Sequence, residues 1–153
     1  FFAALRDAGV TVAFHAGADL SYDPPYGGPP ERIAALMDSL PGLKVYATHM
    51  GGFRMWDAVE RRLAGRDDVL MDTSFSFGFM PEEQLRRIIS KHGAERVMYG
   101  SDSPWLDQTE QVENVRRLGL CSRDEELILY DNARRMIDSW RETASRYQRQ
   151  TGE

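Results

Sequence analysis

The stretch LKVYATHMGG, residues 43–52, runs from an apolar strand pattern straight into a histidine and a pair of glycines. Apart from Lys44 near its start it is mostly apolar, as strands covered on both faces tend to be. It ends on His49, a residue able to bind a metal or move a proton. Two further runs are built the same way: VAFH ends at His15 and is followed by Ala16-Gly17, and VMYGSD ends at Asp102 and is followed by Ser103-Pro104. In parallel α/β folds the loops at the carboxyl ends of the strands open onto one common face, where the chemistry collects. Three such residues at the same point of three strands predict a single active-site rim.

Working outward, apolar strand runs alternate with helix-period segments. Strands are expected over Val10 to His15, Leu43 to His49, Val69 to Ser74 and Arg96 to Ser101. Helices are expected from Pro30 to about Leu40, Phe53 to Ala64 and Pro81 to His92, then about Gln108 to Leu118 and from Arg123 to Gln150. The third of these carries every terminal signal, with Pro81 at its start, Glu82 and Glu83 in the first turn, Lys91 and His92 in the last and Gly93 as stop. A repeated β-α order calls for a parallel sheet with right-handed crossovers. Four β/α units are half of an eightfold barrel, which takes about 250 residues when whole. The expected fold is therefore α/β, the C-terminal half of a (β/α)8 TIM barrel, strands 5 to 8 with their helices, with residues 1–153 as a single partial domain. A small open doubly wound sheet is the rival, but neither GxGxxG nor GxxxxGK[ST] occurs to form its phosphate turn. The start, FFAALRDAGV, lacks an initiator Met and opens inside an amphipathic helix with Gly9 as stop. The expectation is a chain that begins partway through a larger protein, the N-terminal half being absent.

With 153 residues, 42% hydrophobic and 28% charged, the chain can bury a sizeable core. Nineteen basic against 24 acidic residues give a net charge of −5, which argues against a nucleic-acid partner. No run approaches the about 20 apolar residues of a membrane span, and the first ten residues lack the apolar centre of a signal peptide. Cys121 is the only cysteine, so no internal disulfide can form; a reducing, cytoplasmic setting is expected.

Small residues after His15 leave its imidazole open at the strand tip, where a neutral ring nitrogen can ligate a divalent ion or take a proton. A plain hydrogen-bonded structural histidine is the alternative, and the same holds for His49. Asp102 arrives at the end of an apolar strand, where a carboxylate must find a cation, a donor or a proton; capping the following turn is its alternative. His92, in the helix end KHG, is accounted for by the helix dipole.

Taken together, HAG after one strand, THMGG after the next and RVMYGSDSPW before the closing helices resemble the amidohydrolase superfamily, in particular the metal-dependent barrel hydrolases related to aminocarboxymuconate semialdehyde decarboxylase. The tail LILYDNARRMI, with Asn132 and Ala133, resembles that family's closing helix, and the resemblance runs from about Val10 to Ile137. It implies a divalent metal, zinc before others, with His15 as the fifth-strand ligand, His49 as the sixth-strand histidine and Asp102 as the eighth-strand aspartate. His49 and Asp102 become catalytic residues, and His15 and Asp102 metal ligands. The family's first-strand His-x-His pair does not occur in these residues.

The implied activity is hydrolysis of a small carboxylated substrate by a metal-activated water. Non-oxidative decarboxylation by the same site and a metal-free lactonase are the alternatives within the family, and a non-catalytic half-barrel is the alternative outside it. Phe53, Arg54 and Trp105 are the expected substrate contacts. Tyr22, Tyr26, Trp56 and the segment Phe75 to Phe79 are further rim candidates, and Asp72 and Ser74 are hydrogen-bond partners behind the rim or plain strand caps. Expected partners are a small-molecule substrate and either a second copy or the N-terminal half, with no nucleic acid and no membrane.

Overall fold

The computed structural model describes residues 1–151. Four parallel strands, β1 (Val12–Phe14), β2 (Val45–Ala47), β3 (Val69–Asp72) and β4 (Val97–Met98), lie side by side in chain order. Val12 stands opposite Val45, Val45 opposite Val69, and Met71 opposite Val97. Helix α1 (Phe2–Asp7) precedes β1. Helices α2 (Pro30–Ser39), α3 (Trp56–Arg62) and α4 (Glu82–His92) lead from each strand to the next, and α5 (Gln108–Arg117), α6 (Ser122–Glu126) and α7 (Asn132–Thr151) follow β4. This is the expected run of four consecutive β/α units. No helix among the described residues is long and apolar enough to cross a membrane.

The strands are shorter than their apolar runs, because the chain leaves the ladder early at both ends. After Ala47 the backbone turns through His49 and Met50 at φ +57° and +50°, before either glycine is reached. Beyond Met98 the Tyr99 N–H is taken at 2.7 Å by the carbonyl of Ile128, in the π-helical turn Leu127–Asp131 that joins α6 to α7. Asn132 then donates its side-chain amide to the carbonyls of Ala94 at 2.7 Å and Val97 at 2.6 Å, so the closing helix is stapled to the start of β4.

The core lies on one side of the sheet. Val45, Ala47, Val69, Met71 and Val97 are fully buried there against Ile33 and Met37 of α2, Val59 of α3, Leu85 and Ile88 of α4, Val115 of α5 and Ile128. Side-chain alternation sends Ala13, Tyr46 and Leu70, which are neighbours across the sheet, to the other side. Lys44 and Asp72 share that side with them, and Ala13 and Lys44 are exposed. The LKVYATH run is therefore not a strand with two apolar faces, since its inner positions are lysine, tyrosine and threonine.

His92 is also placed differently from expectation. It is fully buried, its Nδ1 accepting from the Gly65 N–H at 3.1 Å and its Nε2 donating to the Val69 carbonyl at 3.1 Å. Burial first, then the nearby Arg96 guanidinium, push its pKa down from 6.5 to about 4. It is a neutral core residue that ties α4 to β3, not a cation on a helix dipole.

Candidate active site

His15, His49 and Asp102 open onto one cleft of about 370 Å³, together with Asp19, Phe53, Phe75 and Trp105. Two loops are zipped together to hold the first two. Gly17 donates to Gly28, Ala18 donates to the Phe53 carbonyl at 2.9 Å, and Phe53 donates back to Ala16 at 2.9 Å. Gly17 sits at φ +91°, and a Cβ there would stand 2.2 Å from the Phe53 nitrogen, so only glycine permits the approach. The result brings the His15 Nδ1 to 3.3 Å from the His49 Nε2.

His49 is gripped from behind. Its backbone N–H and carbonyl are bound by the Asp72 carboxylate at 3.2 Å and the Trp56 indole N–H at 3.0 Å. Its Nδ1 lies 2.8 Å from the Ser74 hydroxyl and 3.3 Å from the Ser74 carbonyl. The Ser74 hydroxyl donates in turn to Asp72, as does the Ser74 backbone N–H at 2.8 Å. The other Asp72 oxygen receives the Tyr46 hydroxyl at 2.5 Å. Gly100 leaves room for this carboxylate, since a Cβ there would lie 3.1 Å from it. Burial, and next the Asp72 charge, raise the Tyr46 pKa far above its ordinary value, so the phenol stays a donor. Asp72 and Ser74 thus stand behind the rim as hydrogen-bond partners. Tyr46, which nothing in the sequence marked, completes the group from the inner face of β2.

Asp102 does not meet the desolvation expected of it: it is exposed at φ +56°, and its carboxylate has no hydrogen-bond or ion-pair partner among the described residues. Trp105, 75% exposed, stands beside it on the rim. Phe53 and Phe75 flank the His49 ring at centroid distances of 6.1 and 6.0 Å and meet each other edge-on at 5.8 Å. Arg54 is not among the lining residues of the cleft; its guanidinium lies over the Phe53 ring, 5.2 Å from the centroid. Trp56 is buried as a backbone clamp, Tyr26 packs against the core, and the exposed Tyr22 stays off the cleft wall. Asp19 was missed, because a carboxylate in an irregular loop carries no periodic signal. Its Oδ2 lies 3.4 Å from the His15 Nε2.

These donors suit a divalent cation in kind but not in number. The lining carries two carboxylates and two imidazoles with no lysine or arginine to balance them, and nitrogen with carboxylate oxygen is the donor set of zinc and manganese. Yet among the described residues no three of His, Cys, Asp or Glu converge closely enough to hold an ion. The residues present fit as part of a ligand set.

Comparison with known structures gives the same architecture. An uncharacterised TIM-barrel protein from Bordetella bronchiseptica superposes with a TM-score of 0.70 at 20% identity, over 90% of this chain and 48% of that one. An amidohydrolase from Burkholderia multivorans with bound zinc matches with a TM-score of 0.67 at 16% identity, over 88% and 54%. The 5-carboxyvanillate decarboxylase of Sphingomonas paucimobilis matches with a TM-score of 0.60 at 21% identity, over 88% and 51%. The chain thus spans about half the length of the barrels it matches, as a half-barrel does. No curated protein matches it. The amidohydrolase family profile matches residues 1–138, and with that match running through all four strands, the chain belongs to the amidohydrolase family.

Proposed function

We propose that this chain carries the His15, His49 and Asp102 portion of the active site of a metal-dependent amidohydrolase that acts on a small, planar, carboxylated substrate. The observation that carries the reading is the single cleft shared by all three residues, with Asp102 unpaired and no fixed cation on the wall. Backbone strain supports it: His49, Phe75 and Asp102 all adopt positive φ, and non-glycine residues held there cluster at functional sites.

His15 and Asp102 are the residues that would hold the ion, zinc first. When bound, a divalent ion supplies Lewis-acid polarisation of a substrate oxygen. The protein's own part is to move protons and orient the substrate. The His49 Nε2 and the Asp102 carboxylate are the proton-accepting atoms, and both face the same space. Phe53, Phe75 and Trp105 form apolar walls that suit an unsaturated ring. Those walls also favour the second reading, non-oxidative decarboxylation, and the similar Sphingomonas protein is named as a decarboxylase of 5-carboxyvanillate. A reducing, cytoplasmic setting belongs to the same proposal, supported by the lone exposed Cys121.

Calorimetric titration with zinc and with manganese tests the metal assignment on the wild-type protein, His15→Ala and Asp102→Asn. Weak binding, as a partial ligand set gives, that is lost in each variant is the expected result, and wild-type protein that takes up neither ion removes it. A panel of carboxylated aromatic acids and lactones, followed for CO2 release and for ring opening, separates the two reactions.

A further inference from the structure

We infer that Ser74 is a positioning residue that locks His49 in the tautomer with its proton on Nδ1, leaving the Nε2 lone pair turned to the cleft. The inference rests on the proposed role of His49 as a proton acceptor, and it adds the groups that make His49 one.

The argument is a count of protons. A serine hydroxyl has one hydrogen to donate. The hydroxyl of Ser74 gives that hydrogen to Asp72, and Asp72 has no hydrogen to give back, being a carboxylate that collects donors from Tyr46, His49 N–H, Ser74 N–H and Ser74 Oγ. The Ser74 oxygen 2.8 Å from the His49 Nδ1 is therefore free only to accept. The second atom near that nitrogen is the Ser74 carbonyl at 3.3 Å, which accepts by nature. Two acceptors require a proton on Nδ1. In the neutral ring the other nitrogen then holds the lone pair.

The direction of the chain is set by burial. Asp72, Ser74 and His49 are all at most 5% exposed, so no water competes for these contacts. Tyr46, whose phenol stays protonated, keeps the second Asp72 oxygen occupied and stops the carboxylate from swinging away. Each member has its hydrogen bond oriented by the one behind it, and the chain ends at the Nε2 that faces His15 at 3.3 Å. A serine and aspartate two residues apart at a strand end would otherwise be a turn cap; here the cap is aimed at an imidazole.

The test is nitrogen-15 NMR of the 153-residue chain, in which long-range proton couplings assign the tautomer of each histidine ring directly. Expected is the Nδ1–H pattern for His49 in the wild type, a mixed pattern in Ser74→Ala, where only the 3.3 Å backbone carbonyl is left to hold the Nδ1 proton, and the wild-type pattern again in Ser74→Thr, which keeps the hydroxyl. An Nε2–H pattern in the wild type overturns the inference without any variant. A Ser74→Ala spectrum indistinguishable from wild type overturns it as well. The readout needs no metal and no turnover. A failure of the zinc titration therefore counts against the metal assignment alone, an Nε2–H pattern in the wild type counts against Ser74 and the acceptor role of His49 together, and an unchanged Ser74→Ala spectrum counts against Ser74 alone.

Discussion

Acidification between pH 6.5 and 4 will destabilise this fold through His92 in particular. In the folded chain its Nδ1 is occupied by the Gly65 N–H and its ring is fully buried, so protonation must break that bond and place a charge in the core. In the unfolded chain the imidazole takes its proton at the ordinary value of 6.5, against about 4 when folded. Because the folded pKa is the lower one, the unfolded state binds more protons throughout that window. The His92 contribution is therefore complete above pH 6.5, falls as pH drops, and is gone below about 4. The gap corresponds to about 3 kcal/mol, a large part of the stability of a small domain. Urea unfolding followed by tryptophan fluorescence at pH 7 and pH 4.5 gives the measurement, with His92→Gln as the control that cannot titrate. The wild type should lose more stability than the variant over this interval, and the difference should approach the stated value. At pH 7 the variant itself should be weaker, by about 1–3 kcal/mol for each backbone group left unpaired. Equal pH slopes for the two proteins, or a His92 that titrates near 6.5 by NMR in the folded chain, would refute the reasoning.

Asp102→Asn should lower any turnover found on the substrate panel by about 10²- to 10⁴-fold, because it removes basicity and charge with little change of shape, while circular dichroism stays unchanged; turnover within a few-fold would take Asp102 out of the chemistry. Gly17→Ala should cost about 2–4 kcal/mol in urea unfolding, since its Cβ meets the Phe53 backbone at φ +91°. Gly9→Ala, at φ +71° with open space around it, should cost only about 1–2 kcal/mol, and equal losses would deny that the loop zip is tight. In sedimentation the isolated chain should self-associate, because β1 lies at the edge of the sheet with no further strand beside it among the described residues, whereas outer groups at β4 are taken by Asn132 and Ile128; a well-folded monomer at micromolar concentration would contradict the half-barrel packing.

The β/α order was legible because apolar runs, proline starts and glycine stops repeat with the fold's own period, and α4 shows every one of them in place. The rim was legible for a related reason: alternating elements force all strand ends to one side, so His15, His49 and Asp102 needed only their positions in their strands to be grouped. What sequence could not show was which way each side chain turns once its strand has ended. Arg54 follows Phe53 in the chain yet lies over the Phe53 ring, and Trp56 looks like a rim aromatic yet serves as a buried clamp on the His49 carbonyl. The inner sheet face was misjudged because Val45 and Ala47 set the apolar character of the run, while Lys44 and Tyr46 alternate with them to the opposite side. His92 was misjudged because a helix terminus explains a histidine equally well whether it points to water or into the core.

The turn after β2 joins stability to the site. His49 and Met50 are both held at positive φ, a conformation that costs a residue with a side chain on the order of 1–2 kcal/mol. The turn also carries Met50, which is fully buried, into the core behind Val45 and Ala47. The strain is held in place by Asp72, whose carboxylate takes the His49 N–H at 3.2 Å and whose carbonyl takes the Met50 N–H at 2.7 Å. The same residue that closes the turn also receives the Ser74 hydroxyl, so backbone geometry and ring orientation are fixed by one group. Replacing the Asp72 carboxylate would release the His49 N–H and the Ser74 hydroxyl at once, leaving only the backbone bond to Met50, so a loss of function would be hard to separate from a loosened turn. Ser74 touches the ring and leaves the backbone bonds of His49 and Met50 intact. It is therefore the position at which the orientation of the imidazole can be changed while the strand end that carries it is kept.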